Sequence, residues 1–328
     1  MRILQVLGDT DEDDDGRAAL DLHRALTDIG VEVRTLALAP GRQAGLASEV
    51  PTMSPSARSL AAHTQLRREQ RWADVVLLRG EAPASAAGLA RVRNAPPTVL
   101  QLGADAAAWI DGPVPSRAAR ALGRVDAVVV TSVADVAVAD RLGLRPDDLT
   151  VVPYGVPIGP VVSPARRSAA RAALGLPADG LVAHLVGGGE RLDAARTEAE
   201  RRGVLVTEIV PEDDRLVRFG DVEEPDRHEV AVAAADLVVL ASTVTAGPPP
   251  TVLRAAAAGL AVVAEATGAV GDLLDATTGW IDLERAQAAG VDEVHRRGAA
   301  AAERVAERFA ATAVAARWHD LLSRVADR

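Results

Sequence analysis

The chain contains no cysteine and no lysine. Without cysteine there is no disulfide, no thiolate metal ligand and no thiol nucleophile, a composition compatible with a reducing compartment. Without lysine, any mechanism that needs a side-chain amine is excluded, and all 36 basic residues are arginine. Metal-ligand spacing is missing as well. The six histidines (His23, His63, His184, His228, His295 and His319) are scattered, with no pair at i, i+4, so no metal site is expected. No window approaches the ~18–20 uninterrupted apolar residues of a membrane helix. The opening Met1–Leu7 run leads straight into acidic residues, unlike a signal peptide, and a cytoplasmic protein without an integral membrane segment is expected. An excess of positive charge is lacking too. The net charge of −10 argues against a nucleic-acid partner, because phosphate backbones demand a basic surface. The scarcity of asparagine and the abundance of alanine, valine and arginine reflect a GC-rich genome and carry no functional meaning.

What is present describes a folded, two-core protein. Apolar residues make up 48% and charged residues 25% of 328 positions, a globular composition and a length beyond one comfortable core. Arg2 to Leu7 reads as a buried strand; Ala19, Leu22, Leu26 and Ile29 then recur at helical spacing before Gly30, a C-cap signal. Further strands are expected at Val31–Leu38, Asp74–Leu78, Thr98–Leu102, Ala127–Thr131 and Leu149–Val152, separated by alanine-rich helical segments. Pro153-Tyr154-Gly155-Val156-Pro157 opens a Pro/Gly-rich stretch, and the chain restarts at Ser163-Pro164, an N-cap followed by proline at the first helical position. A second set of strands is expected at Leu181–Val186, Val204–Val210, Leu216–Phe219, Leu237–Ala241 and Ala261–Ala264. From Val291 onward a long terminal helix carries Phe309, Val314, Trp318, Leu321, Leu322 and Val325. Alternation of this kind predicts α/β units with parallel sheets covered on both faces.

Several segments together carry a resemblance. Met1-Arg2-Ile3-Leu4-Gln5-Val6, a loop, and a helix ending at Gly30-Val31-Glu32-Val33 form a generic opening. More specific are Ala127-Val128-Val129-Val130-Thr131-Ser132, a helix running out at Leu142-Gly143-Leu144, and Leu149-Thr150-Val151-Val152-Pro153-Tyr154-Gly155-Val156, similar to a "viPnGv" ending. The strongest is Ala235-Asp236-Leu237-Val238-Val239-Leu240-Ala241-Ser242, then Gly247-Pro248, then Leu253 through Gly259 to Ala264, which resembles "aDvfvlPS…eGfp…lEAmAaGlPVVa", with Gly279-Trp280-Ile281 further on. These segments, and Arg308-Phe309 with Trp318–Leu322 as a closing helix, resemble GT-B retaining glycosyltransferases of the family 4 (group 1) type across nearly the whole chain.

The resemblance implies two Rossmann-like doubly wound domains facing a cleft, with a C-terminal helix crossing back to the first. It assigns residues 1–157 to an N-terminal, acceptor-side domain, 163–307 to a C-terminal, donor-side domain and 308–328 to the returning helix. It also exposes departures. The family's two donor-site glutamates fall on Ala246 and Arg254, its sugar-contacting histidine on Leu102, and the cationic segment that offsets the leaving diphosphate has no lysine. The first loop, with two glycines in the family, is here Asp9-Thr10-Asp11-Glu12-Asp13-Asp14-Asp15-Gly16, which repels a diphosphate unless a cation intervenes.

Candidate site residues follow. Gly187, Gly188 and Gly189, with Arg191, lie between a strand and a helix, the setting of an anion nest and equally of an ordinary turn. Gly247 and Thr251 precede a helix on the carboxyl side of a strand, where open α/β sheets bind ligands. Arg254 on that helix faces either a phosphate or a neighbouring acid such as Glu265. Asp15, Gly16 and Gly103 are the acceptor-side loop candidates. The acidic run either collects a divalent cation or is a solvated loop, and it lacks calcium-loop spacing. A dinucleotide dehydrogenase is disfavoured because Gly8-Asp9-Thr10 replaces the three-glycine fingerprint. Two readings stand. In one the protein moves a sugar from a nucleotide-diphosphate sugar to a small-molecule or glycan acceptor with retention, without a cofactor or metal. In the other it is a catalytically inactive pseudo-glycosyltransferase that acts as a binding or partner subunit.

Overall fold

Apolar runs too uniform to alternate are the mark of strands buried on both faces, and in this chain they assemble into two all-parallel sheets. The computed structural model describes residues 1–11, 13–41, 45–57, 59–90, 94–102, 120, 122–132, 136, 143–144, 149–208, 227–241, 247–264 and 268–327; elements are numbered among these. The described chain divides into two units, one of Met1–Pro157, Thr245–Pro250 and Ala311–Arg328, the other of Ile158–Val244 and Thr251–Ala310.

The first unit carries β1 (Arg2–Leu7), α1 (Asp14–Asp28), β2 (Glu32–Ala37), α2 (Leu60–Gln70), β3 (Val75–Arg79), α3 (Glu81–Ala90), β4 (Thr98–Gln101), β5 (Ala127–Val130) and β6 (Leu149–Val151). Its strands run in the order β2-β1-β3-β4-β5-β6. Leu4, Val6, Val76, Leu78 and Leu100 face one layer with Leu66 and Ala84, while Ile3, Val75, Leu77 and Val99 face the other with Leu22 and Leu26 of α1.

The second unit carries α4 (Pro164–Ala173), β7 (Val182–Gly187), α5 (Gly189–Arg201), β8 (Leu205–Glu208), α6 (Arg227–Ala234), β9 (Leu237–Ala241), α7 (Pro250–Ala257, its first residue falling in the first unit), β10 (Ala261–Val263), β11 (Gly279–Trp280), α8 (Leu283–Ala289) and α9 (Val291–Arg308). Its strand order is β11-β10-β9-β7-β8. Ser163 caps α4 by accepting from the Arg166 amide, with Pro164 at the first helical position, as the sequence predicts. The short β11 is an element that sequence periodicity does not reveal. The strand expected at Leu216–Phe219 lies outside the described residues.

The single long terminal helix expected from Val291 is two helices, because regular structure stops at Phe309 and restarts in α10 (Ala311–Ala326). The two belong to different units. Trp318, Leu321, Leu322 and Val325 of α10 complete the Ile3 layer of the first unit, so this helix is built into the N-terminal core. Its approach depends on Gly155: a Cβ there would lie 2.9 Å from the Val314 Cβ and 3.0 Å from the Ala311 Cα.

One sequence device recurs at three strand starts. Asp74, Asp126 and Asp236 each stand immediately before an apolar strand, and each carboxylate accepts the backbone N–H that opens a neighbouring strand: Arg2 at 2.8 Å, Thr98 at 2.7 Å and Val182 at 2.9 Å. An otherwise orphaned edge amide is thereby satisfied and the strand register fixed. Asp236, in the most family-specific segment, goes further. It is 1% exposed and also accepts from Arg171 Nη2 at 2.5 Å, lies 3.5 Å from Arg167 Nε and 2.9 Å from His295 Nε2. Burial alone would raise its pKa, but the His295 and Val182 hydrogen bonds and the two guanidiniums hold it below the ordinary carboxylate range.

Candidate functional site

In each unit a central strand ends in a loop that feeds a helix, and these two junctions, β1–α1 and β7–α5, hold most of the sequence-derived candidates. Both lie at carboxyl ends of parallel strands, where helix N-termini present unbonded N–H groups to a ligand.

At β7–α5 the backbone is set by glycine. Gly187 has φ +149° and is the register partner of Ala241; a Cβ on it would lie 2.3 Å from the Ala241 carbonyl oxygen. No other residue fits between β7 and β9. Gly188 is the N-cap, extended at φ −161°, with no side-chain cap hydrogen bond, and Gly189 opens the helix at φ +60°. Built Cβ atoms on Gly188 and Gly189 meet nothing within 4 Å. The first turn of α5 is therefore an exposed, uncapped helix N-terminus, flanked by Glu190 and Arg191. β9, the strand that precedes α7 in the chain, pairs with β7. Thr251 and Arg254, both half-buried, sit on α7. Gly247 is committed elsewhere: its N–H donates to Thr131 Oγ1 at 2.9 Å, and a Cβ would stand as close to the same oxygen. It packs against the end of β5.

The β1–α1 junction is sealed by its own acids. Asp15 and Gly16, expected in a loop, are the second and third residues of α1, which starts at Asp14. The reason is Asp13, whose side chain accepts from the Gly16 N–H at 2.7 Å as a helix N-cap. Desolvation pushes the Asp13 carboxyl up to about 6; the Gly16 hydrogen bond opposes this, and Asp15, Asp9 and Asp14 add to it. A Cβ on Gly16 would meet Leu46 Cδ1 at 2.6 Å and the Asp11 carbonyl at 2.8 Å, so the glycine serves packing. Asp15 accepts the Tyr154 hydroxyl, and Tyr154 stands where the family pattern has asparagine. Gly103, the third acceptor-side candidate, lies outside the described residues, as does Ala246.

Beneath that junction lies a polar cluster that the motif reading missed. Gln5, Arg79 and Gln101 interrupt three apolar strands on the same face, and all are buried. Gln5 Nε2 donates to the Ala19 carbonyl at 3.0 Å and to Thr35 Oγ1 at 2.9 Å, while its Oε1 accepts from Arg79 Nε at 3.0 Å. Burial lowers the Arg79 pKa against the opposing charges of Asp15, Tyr154 and Asp21; burial first, then Asp15, pushes the Tyr154 phenol well up. The signal was visible: a polar residue inside a parallel-strand run is rare unless it is partnered. Among the described residues, no group of three or more histidines and acids is placed to hold a metal ion, and no helix is long and apolar enough to cross a membrane.

Residues 16–159 match the family model described as Glycosyltransferase Family 4. Among solved structures, Anabaena HepE in complex with UDP-glucose is similar over 99% of this chain and 100% of its own, at 18% identity and a TM-score of 0.78. Sucrose-phosphate synthase from Thermosynechococcus elongatus is similar over 99% of each chain, at 18% identity and a TM-score of 0.71. WaaG, a glycosyltransferase of lipopolysaccharide biosynthesis, covers 98% of this chain and 99% of its own, at 16% identity and a TM-score of 0.62. No curated protein sequence matches the chain. The fold is GT-B, and the resemblance to the family 4 (group 1) type holds in the sequence of the N-terminal unit and in the fold of the whole chain.

Proposed function

We propose that this glycosyltransferase-like protein binds a nucleotide-diphosphate sugar through its C-terminal, donor-side unit, with the diphosphate at the N-terminus of α5. The observation that carries this reading is the β7–α5 junction, where glycine is enforced at Gly187 by the Ala241 carbonyl and the helix start has no side-chain cap. Exposed N–H groups and the helix dipole favour an anion there. Arg191, Thr251 and Arg254 are the polar groups we assign to the same donor, and arginine takes the phosphate-facing role in a chain without lysine. The relatives' complexes support the ligand class, since HepE is bound to UDP-glucose. Transfer to a small-molecule or glycan acceptor held by the N-terminal unit, with retention of configuration, follows from the family resemblance. A cytoplasmic setting is supported by the cysteine-free composition.

A second reading has its own observation. The β1–α1 junction is closed by Asp13, and Leu102, Ala246 and Arg254 replace the family's histidine and two glutamates, so a scaffold that binds a nucleotide sugar without transferring it, and serves a protein partner, is also favoured by the sequence. Losing one charge-stabilising group costs ~10²–10³ in rate.

The test is calorimetric titration with uridine, guanosine, adenosine and thymidine diphosphates and their common sugar conjugates, on the native chain and on Gly188→Asp. The substitution is tolerated sterically, since Gly188 is extended and its Cβ position is open, and it places a carboxylate where the diphosphate is proposed. One nucleotide is expected to bind below ~100 μM, about −5.5 kcal/mol, and to weaken at least tenfold in the variant. Silence across the panel, or equal binding by Gly188→Asp, overturns the proposal. Binding with no sugar transfer or donor hydrolysis selects the second reading.

A further inference from the structure

The polar cluster beneath α1 borders a small chamber in the N-terminal unit. Arg79, Gln101 and Tyr154 contribute its polar lining; Leu22, Val314 and Trp318, the last two from α10, contribute its apolar wall. Arg79 and Gln101 are register partners at the carboxyl ends of β3 and β4, so both side chains leave the sheet on one face. Arg79 is 8% exposed and Gln101 3%.

The donor and acceptor inventory around this chamber is unbalanced. Gln5 has both Nε2 donors engaged, and its Oε1 takes the Arg79 Nε. Arg79 gives its Nε to Gln5, and Oε1 of Gln101 is fully buried with no hydrogen-bond partner among the described residues. The chamber thus sets the Arg79 guanidinium beside an unused acceptor. A buried amide oxygen left in that condition costs free energy, and one small group able both to accept and to donate suits both groups. An anion is unsuitable, because it accepts from Arg79 but offers nothing to the Gln101 oxygen and lies near the Asp15 carboxylate. The space open to the centre of a water-sized sphere is about 10 Å³, at the lower edge of the ~10–15 Å³ that one water molecule requires.

We propose that this chamber is a binding site for a single ordered water, which donates to Gln101 Oε1 and accepts from the Arg79 guanidinium. The water joins β4 to the Arg79–Gln5 pair and, through Gln5, to the Ala19 carbonyl of α1. It therefore helps position the first turns of α1, where Asp15 and Gly16 lie, and α10 lines one side of the chamber through Val314 and Trp318. Arg79 and Gln101 are positioning residues here.

The decisive experiment is a crystal structure of the full chain at ~1.5 Å or better, a resolution that reveals ordered water, joined to oxygen-17 relaxation dispersion on the native protein and on Gln101→Leu. The expected results are a water at ordinary hydrogen-bond distance (~2.7–3.2 Å) from both Gln101 Oε1 and a terminal nitrogen of Arg79, and one fewer long-lived water in the variant. A direct Arg79–Gln101 hydrogen bond in an empty chamber, or equal water counts in two folded proteins, overturns the proposal. The native crystal structure decides alone if Gln101→Leu does not fold. Nucleotide titration of the same variant is expected within twofold of native, so failure here is distinct from failure of the donor site.

Discussion

The two strand–loop–helix junctions occupy equivalent places in their units yet differ in what closes the helix start. At α1 the cap is a carboxylate of the chain itself, Asp13, bonded to the Gly16 amide. At α5 it is Gly188, which offers no side chain. A helix N-terminus has one strong demand, for negative charge or hydrogen-bond acceptors. Where the sequence supplies a carboxylate, part of that demand is met internally; where it supplies only glycine, the demand stays open. The pair therefore separates a junction capped by its own carboxylate from one without a side-chain cap, and this difference supports the proposed donor-phosphate site in the second unit.

The largest expected effect tests whether the C-terminal unit can stand without its own internal acid. Asp236→Ala leaves Arg167 and Arg171 buried without a counter-charge and the Val182 amide without its acceptor. Breaking a buried ion pair from one side costs about 3–5 kcal/mol, so the denaturant midpoint should fall sharply; an unchanged midpoint would show that Asp236 is not structural.

Next in size is Gly187→Ala, which forces a Cβ to 2.3 Å from the Ala241 carbonyl at a backbone φ of +149°. Strained positions of this kind cost about 1–3 kcal/mol, and nucleotide affinity should fall with stability. Gly188→Asp, one residue on, should cost affinity alone, and the contrast between the two variants sharpens the assignment of the α5 start.

The smallest effect lies at the sealed junction. The Asp13 carboxyl is raised from 3.8 to about 6, so the folded state holds its proton more tightly than the unfolded chain. The resulting stabilisation is complete below pH ~4 and is lost as pH rises through ~6. Asp13→Asn keeps an acceptor for Gly16 but removes the charge. It should be more stable than native above pH 6, by about 1 kcal/mol or less because the group is partly solvated and screened, and equal to native near pH 4. Denaturation curves at pH 4 and 7.5 check this; a variant less stable than native at pH 7.5 would mean the carboxylate itself holds the cap.

Much of this was legible in the residues. The runs at Arg2–Leu7, Asp74–Leu78 and Leu237–Ala241 announce buried parallel strands because their apolar residues do not alternate with polar ones, and Ser163-Pro164 announces a helix start through its own chemistry. Less legible was β11, two residues whose pairing with β10 depends on Gly279, where a Cβ would lie 1.8 Å from the Val262 carbonyl. Nor did the sequence show that the conspicuous Asp236 is held by Arg171, Val182 and His295, or that Gly247 donates its amide to Thr131. Motif matching locates such residues but does not say which partners they meet.

By itself, then, the sequence determined the α/β alternation, the two cores, the exclusion of thiol and lysine chemistry, and the glycines between β7 and α5, since these rest on local periodicity, composition and backbone freedom. Only the tertiary structure decided that Asp13 closes one helix while Gly188 leaves the other open. Only it gathered Gln5, Arg79 and Gln101 from three strands into one buried cluster, and divided the terminal helix at Phe309. Those outcomes depend on contacts between residues far apart in the chain, and long-range packing, not local preference, sets which amide, guanidinium or carboxylate meets its partner.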